Sequence, residues 1–334
     1  MNASILGIDV SKATLHLALL QGSGRPQKKQ VTNDASGFAE ITEWLRGQSV
    51  ESVSACLEAT STYGQAVARY LHEQGHRVSV VNPARISGFA QSELRRTKTD
   101  SADSATIARF CQAMEPKAWI PPNSETAELQ QMTRRLEDLQ QIIGQEKTRL
   151  DTTIESLHAD IKAHIEFIEN QMEQLKQVMT AHIKKNEALD SALTLMTSIK
   201  GISTLSGSQI LAEIGDWTVF SSARQLAAYA GLTPQAKESG TSVHGRTRLC
   251  KIGNEHLRRA LYFPALTAIR CCEELQPWIE GLRSRGKNKM QVVGAVMHKL
   301  IRVVYGVLKS GQPFKPELLA PTQGKRTRFF TIWH

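Results

Sequence analysis

Two hydrophobic periodicities divide this chain. In its front third, short apolar runs alternate with segments of helical spacing. Residues 4–10 (SILGIDV) and 14–20 (TLHLALL) predict two strands joined at Ser11-Lys12, and the segment around 28–32 predicts a third. A helix is expected near 36–47, a buried strand at 52–57 (SVSACL) and a helix near 63–74. A short strand at 77–81 and helical segments from 83 and from 101 complete the series. The order is three strands, helix, strand, helix, strand, helix. It suits an α/β domain with a mixed sheet and helices on its faces.

The middle of the chain has a different period. Leu129, Met132, Leu136, Leu139 and Ile143 keep a 3-4 spacing. After a break around 144–147 the spacing resumes at Leu150, Ile154, Leu157, Ile161, Ile165, Ile168, Met172, Leu175 and Met179. This predicts long amphipathic helices with coiled-coil character. An unbroken helix over 129–179 would span roughly 75 Å. A single helix cannot bury that stripe alone, so it is either a spacer or an oligomerisation arm. Pro121-Pro122 closes the domain before it. From about 190 the chain is mainly helical with glycine punctuation. The expected divisions are 1–120, a central coiled-coil region 121–190, a helical domain 191–310 and a loosely ordered basic tail 311–334 carrying Lys325, Arg326 and Arg328. The strand and helix order of residues 1–120 is also that of the ribonuclease H-like fold.

Composition and charge narrow the function. The 334 residues are 41% hydrophobic and 22% charged, enough apolar side chain for a sizeable core. No signal peptide or membrane span is apparent, and five cysteines without a CxxC argue against a disulfide framework or a zinc site. A cytoplasmic protein with reduced thiols and no membrane partner is expected. Residues 191–334 hold 20 Lys and Arg against 8 Asp and Glu, whereas residues 1–190 hold 21 against 24. A basic back half on a near-neutral front half points to a polyanion, with nucleic acid the leading candidate.

Four carboxylates suit metal chemistry. Asp9 ends the first strand in GIDVSK and Glu58 ends the central strand in LEAT. Asp100 and Asp103 stand three apart in KTDSAD, so at a helix start both point to one side. Two Mg²⁺ ions about 4 Å apart need several oxygen ligands from different elements, and these four acids come from three. Taken singly, each is an ordinary cap or surface acid. Arg95, Arg96 and Lys98 precede Asp100, with Arg85 and Arg109 on either side, as a phosphodiester brought to metals would require.

The back half adds three features. Residues 196–215 resemble a helix-hairpin-helix with Gly201 in its turn and Ser203 where a second glycine is usual. Such a turn offers N–H groups to phosphate. Ser239-Gly240 lies in a polar loop, and Arg246, Arg248, Lys251, Arg258 and Arg259 follow around Gly253-Asn254. No Ser/His/Asp spacing supports hydrolase chemistry, and His244 and His256 alone are weak evidence for a base.

Together these residues resemble the DEDD transposases of bacterial insertion sequences, a family that includes bridge-RNA-guided recombinases and is related to pilin-gene invertases. GIDVSK, LEATSTYG, KTDSADSATIA, IKGIS, AYAGLTP with ESG, and KIGNEHLRRAL fall in the family's order from Gly7 to about Leu308. The resemblance implies a RuvC-like front domain in which Asp9, Glu58, Asp100 and Asp103 bind Mg²⁺. It also implies a catalytic serine, mapped to Ser239 by its place before Gly240, that attacks DNA and forms a phosphoserine link. Glu238 stands where the family often has another serine. The implied partners are target and donor DNA, a structured noncoding bridge RNA and further copies in a homodimer or homotetramer. In such an assembly the serine of one protomer completes the acidic site of another. A site-specific invertase of the same family is the alternative. Two other classes compete. An actin-like ATPase shares the front fold, but no second Gly-rich adenosine motif is present. A decayed, non-catalytic RNA-binding protein would not be expected to keep all four acids and the serine.

Overall fold

The computed structural model describes residues 4–22, 24–59, 63–93, 100–235, 238–239, 243–244 and 248–316, with the backbone alone at 100–102, 238–239 and 243–244. The chain divides into two compact units, Met1–Pro121 and Pro122–His334.

The front unit holds β1 (Ser4–Val10), β2 (Thr14–Leu20), β3 (Gln27–Thr32), α1 (Ala35–Gly47), β4 (Val53–Glu58), α2 (Gly64–Glu73), β5 (Arg77–Val81), α3 (Pro83–Ser92) and α4 (Asp100–Met114). The strands form one sheet in the order β3-β2-β1-β4-β5. β1 pairs antiparallel with β2, and β2 with β3; β1 to β4 and β4 to β5 are parallel. Strand residues alternate between the two faces. Leu6, Ile8, Leu15, Leu17, Ala55 and Leu57 pack on one face with Phe38, Ile41, Val67 and Leu71 of α1 and α2. Ile5, Ala18, Leu20 and Cys56 pack on the other with Ile86 of α3 and Ala105, Ala108 and Phe110 of α4. Asp34 caps α1 by accepting from the Gly37 N–H, and Asn82 caps α3 ahead of Pro83.

The second unit begins with α5 (Ser124–Thr152) and α6 (His158–Lys185). The helix expected to break around 144–147 instead runs through Gly144 to Thr152, because one helical glycine costs only about 1 kcal/mol. The chain turns at Thr153, where the backbone becomes extended. Leu139 and Ile143 of α5 then pack against Ile161, Ile165 and Ile168 of α6. The stripe is covered within one chain by a helical hairpin. Ile154 and Leu157, counted in the stripe, lie exposed at its turn. At the other end Leu129, Leu136, Met179 and Ile183 join the main core of the unit.

That core gathers residues of α7 (Glu187–Thr197), α8 (Thr204–Ile214), α9 (Ala223–Tyr229), α10 (Glu255–Ala260), α11 (Tyr262–Cys271), α12 (Gln276–Ser284) and α13 (Lys289–Ser310), and four two-residue strands are described between α9 and α10. The strands are β6 (Pro234–Gln235), β7 (Glu238–Ser239), β8 (Val243–His244) and β9 (Arg248–Leu249). Helix α13 is long and apolar enough to cross a membrane by length and composition, a feature missed in the sequence. Most of it is buried, with Val292, Val296, Ile301 and Val304 inside the unit, so its apolar surface is that of a core helix.

Candidate active site

Asp9 and Glu58 lie side by side at one end of the front unit's sheet. Asp9 shares strand parity with Ile5 and Gly7, and Glu58 with Cys56, so both belong to the face covered by α4. Ile8 pairs with Leu57 across parallel strands, and Asp9 and Glu58 are the next residue on each. Adjacent strands lie about 4.8 Å apart, which makes the two acids neighbours at the carboxyl ends of the sheet.

Gly7 sets how close α4 comes. A Cβ there would collide with the Ser104 carbonyl, the Ala108 N–H and the Ala108 methyl. Farther along the helix, Cys111 Sγ donates to the Ser54 carbonyl at 3.8 Å, and Gln112 donates to the Gly22 carbonyl at 3.4 Å. Ser54 pairs with Ile5, so α4 runs antiparallel to β1. From the crossing at Gly7 to Asp9 is about 6.6 Å of strand, equivalent to roughly four helical residues. This carries the first turn of α4, with Asp103 and the backbone of Asp100, toward Asp9. Asp9, Glu58 and Asp103 are all partly exposed.

The donors are all carboxylate oxygens, the chemistry hard cations prefer. Among the described residues, however, no three His, Cys, Asp or Glu side chains converge closely enough to hold an ion. The Asp100 side chain lies outside that set. Directly under the site Cys56 and Cys111 interact, and their contact, with burial, pushes the Cys56 thiol well above its ordinary range.

The cations proposed around Asp100 divide into two groups. Arg95, Arg96 and Lys98 lie outside the described residues. Arg109 pairs with Glu93 at 3.4 Å, and the Arg85 guanidinium lies 5.4 Å from the Phe110 ring centre. Arg85 and Arg109 therefore already hold α3 and α4 together.

Ser239 stands in a narrow antiparallel ribbon. Pro234 and Gln235 pair with Leu249 and Arg248; farther out, Glu238 and Ser239 pair with His244 and Val243. Two residues separate these ladders on the outgoing strand and three on the return. Residues 240–242, between β7 and β8 in sequence, lie outside the described residues. Arg246 also lies outside them, while Arg248 and Lys251 are exposed near the root.

The root is held tightly. The Cys250 N–H donates to the Thr233 carbonyl at 2.9 Å, Lys251 to Gly231 at 3.1 Å and Asn254 to Tyr229 at 2.6 Å. Arg258 Nη1 donates to the carbonyls of Ala230 at 3.1 Å and Lys251 at 3.3 Å, bridging the two chains of the neck. Gly231 and Gly253 have φ of 68° and 155°, and a side chain on either would strike the opposite backbone. Arg259 bonds Glu255 and lies near Glu137. Both arginines singled out for nucleic acid thus make contacts within the unit.

A buried polar network supports this neck, and sequence reasoning missed it. Glu213 of α8 is 4% exposed. It accepts from Asn254 Nδ2 at 2.8 Å, Gln130 Nε2 at 3.3 Å and Arg134 Nε at 3.3 Å. Asn254 also caps α10 by accepting from the Leu257 N–H. Beside it, His256 bonds Glu137 at 2.7 Å, and that carboxylate holds the imidazole above its ordinary pKa. The available signal was one acid inside the apolar run ILAEIG, since a buried carboxylate requires partners.

The hairpin around Gly201 is also a packing device. Gly201 has φ of 102°, and a Cβ there would lie 2.8 Å from the Pro264 carbonyl of α11. Ser203 caps α8 in a reciprocal capping box with Ser206, and Lys200 bonds Glu274 at 2.9 Å.

Comparison with known proteins places the chain in a family. Residues 6–159 match the family model described as "DEDD_Tnp_IS110: Transposase", and residues 193–280 match "Transposase IS116/IS110/IS902 family". The chain is 29% identical over 317 residues to the "Pilin gene-inverting protein" of Moraxella bovis, covering 94% of this chain and 98% of the relative. It is 23% identical to the "Probable family 20 transposase" of Pseudomonas aeruginosa, over 95% of this chain and 100% of that one. A solved chain described as "Thermus thermophilus RuvC structure" is similar at 18% identity, covering 33% of this chain and 96% of its own, with a TM-score of 0.26. The strand order itself, rather than that likeness, carries the α/β assignment. The chain belongs to the IS110/IS116 family of DEDD transposases.

Proposed function

We propose that this transposase cuts and rejoins DNA through Ser239, in a site where Asp9, Glu58, Asp100 and Asp103 hold two Mg²⁺ ions. The observation that supports the proposal is the side-by-side placement of Asp9 and Glu58 on the sheet face that α4 covers. The oxygen-only donor set suits a hard divalent cation. When bound, the ions supply Lewis acidity to the scissile phosphate and offset charge in the transition state.

The rest of the chemistry belongs to the chain. Ser239 Oγ attacks phosphorus as the bond to a deoxyribose oxygen breaks; the serine gives up its proton and the departing oxygen gains one. The phosphoester is conserved on the serine, so attack by a DNA hydroxyl reverses the step and rejoins strands without ATP. The ribbon root supports precise placement of the nucleophile. A site completed between protomers of a homodimer or homotetramer is what the family resemblance implies. Target choice is assigned to a structured noncoding RNA that pairs with target and donor DNA, while the protein reads backbone and shape.

Inversion is the second reading, favoured by the relative whose name states that it inverts a pilin gene. Recombination assays with purified protein, RNA, Mg²⁺ and plasmids carrying separate or inverted sites test both. Asp9→Ala and Asp100→Ala are expected to abolish strand cleavage while leaving RNA binding intact. Normal recombination by either variant would remove the tetrad from the mechanism, and recombination without RNA would remove the guide.

A further inference from the structure

We propose that the loop Arg283–Lys289, between α12 and α13, is a docking surface for the DNA backbone delivered to the serine ribbon; this rests on the proposed role of Ser239.

The first observation is charge. Residues 281–316 contain eight Lys and Arg and no Asp or Glu. Arg283, Arg285, Lys287 and Lys289 fall within seven positions of the α12–α13 turn. Arg283, Arg285 and Lys289 are exposed and Lys287 is partly so. None of the four has an acidic partner within 4 Å among the described residues. By contrast, Lys200, Arg134, Arg149 and Arg259 elsewhere in the unit are each paired with a carboxylate. Arg285 Nε donates to the Gly281 carbonyl at 2.9 Å and Arg283 lies in the last turn of α12, yet none of the four is neutralised by a carboxylate, and the charge left on the turn suits a polyanion.

The second observation is rigidity. Gly286 has φ of 75°, and the Lys287 N–H closes on the Leu282 carbonyl at 3.2 Å, so the turn is compact. Asn288 caps α13 through the Gln291 N–H at 2.9 Å, and Gln291 returns a bond to the Asn288 N–H. The backbone that carries the cations is thereby held next to the positive end of a 22-residue core helix, where a phosphate is favoured. Met290, 63% exposed beside them, adds an apolar contact without competing charge.

The third observation is position. A Cβ on Gly294 of α13 would lie 2.9 Å from Leu249 Cδ1 on β9. The return strand of the serine ribbon therefore rests on the second turn of α13. Lys289 is five residues back, about 7.5 Å along the helix axis. The basic turn therefore lies within about one and a half helical turns of the point where β9 meets α13. A DNA backbone held by this loop would lie near the root of the ribbon that carries Ser239. This favours DNA as the occupant over RNA.

The test uses the full-length protein with all four residues changed: Arg283→Gln, Arg285→Gln, Lys287→Gln and Lys289→Gln. A charge-matched control carries Arg135→Gln, Lys162→Gln, Lys184→Gln and Lys185→Gln, which neutralise four exposed cations of α5 and α6. DNA affinity and, separately, RNA affinity are measured from low to moderate salt, with thermal unfolding as the check on folding. The loop variant should bind DNA at least tenfold more weakly at low salt. Its log–log salt slope should be shallower by about 0.9 for each lost phosphate contact, and the control should shift far less. Equal losses in both variants would reduce the effect to net charge and overturn the proposal. Loss of RNA binding with unchanged DNA binding would assign the loop to RNA and overturn it equally. Mapping of the wild-type protein–DNA adduct separates the two claims: an adduct away from Ser239 defeats the serine reading, whereas the salt slopes decide whether the loop binds DNA.

Discussion

The two regions given chemical roles are built on opposite plans. In the front unit, Asp9 and Glu58 end neighbouring parallel strands and α4 lies directly over them. Regular sheet periodicity places each acid, and one glycine lets the helix approach. In the second unit Ser239 sits on a ribbon of two-residue strands with little core of its own. Its position depends on a root tied by Arg258, Asn254 and Glu213, residues brought from distant parts of the chain. The contrast teaches where sensitivity resides. One site depends on close packing of the sheet and helix; the other depends on hydrogen bonds at the root of a short ribbon.

The largest effect should come from disturbing that packing. Gly7→Val inserts a side chain where α4 touches the sheet and should destabilise the front unit by about 3 kcal/mol. Denaturant unfolding should record the loss, and strand cleavage should vanish with it. Gly88→Ala, in open space on α3, should instead be neutral or stabilise by up to about 1 kcal/mol. If both changes were tolerated, the close-packing account of α4 would be wrong.

Removing the acid of the network ranks next. Glu213→Leu leaves Arg134, Gln130 and Asn254 without their acceptor and should cost about 3 kcal/mol in denaturant unfolding. A change below about 0.5 kcal/mol, the usual range for surface substitutions, would mean that the network does not hold the root.

Arg258→Lys is more selective. Lysine retains charge but lacks the guanidinium fork that spans the Ala230 and Lys251 carbonyls. The expected stability loss is about 1 kcal/mol. Adduct formation should fall by roughly tenfold, equivalent to about 1.4 kcal/mol of barrier, while DNA affinity stays level. Hydrogen exchange should accelerate at the Cys250 and Lys251 amides. Weaker DNA binding with an unchanged cleavage rate would return Arg258 to a backbone contact.

The smallest effect is pH-dependent. Glu137 raises the pKa of His256, so protonation stabilises the folded state. That contribution is complete below the ordinary histidine value of 6.5 and fades as pH rises through the raised one. Unfolding of His256→Gln across this interval should lack that component of the wild-type decline. An identical pH profile would remove the pair from the stability account.

Much of the front unit was legible because each element has its own periodic signal. Alternation in SILGIDV and TLHLALL locates strands, and helical spacing after Asp34 locates α1. Asp9 and Glu58 could be picked out because strand ends are definite positions. The helical hairpin was harder: periodicity shows a stripe at Leu139 and Ile165 but not that one covers the other. Its turn also fell at Thr153, not at the glycine, because one helical glycine is cheap and packing chose the bend. The ribbon root was least legible. Glu213 and Asn254 are 41 positions apart, and their bond leaves no local pattern. Arg258 looked like a surface cation because composition records its charge and not the carbonyls it binds.

The central claim is that the serine ribbon supplies the nucleophile. Its most direct measurement is capture of the reaction under denaturing conditions with full-length protein, RNA, DNA and Mg²⁺, followed by digestion and mass spectrometry of the protein–DNA adduct. The account predicts a phosphodeoxynucleotide on Ser239, absent from Ser239→Ala even when that variant binds DNA and RNA normally. An adduct on another residue, such as Ser242 or Tyr229, would contradict it. So would cleavage that leaves only free DNA ends at every time point, the outcome expected of activated water in a plain nuclease.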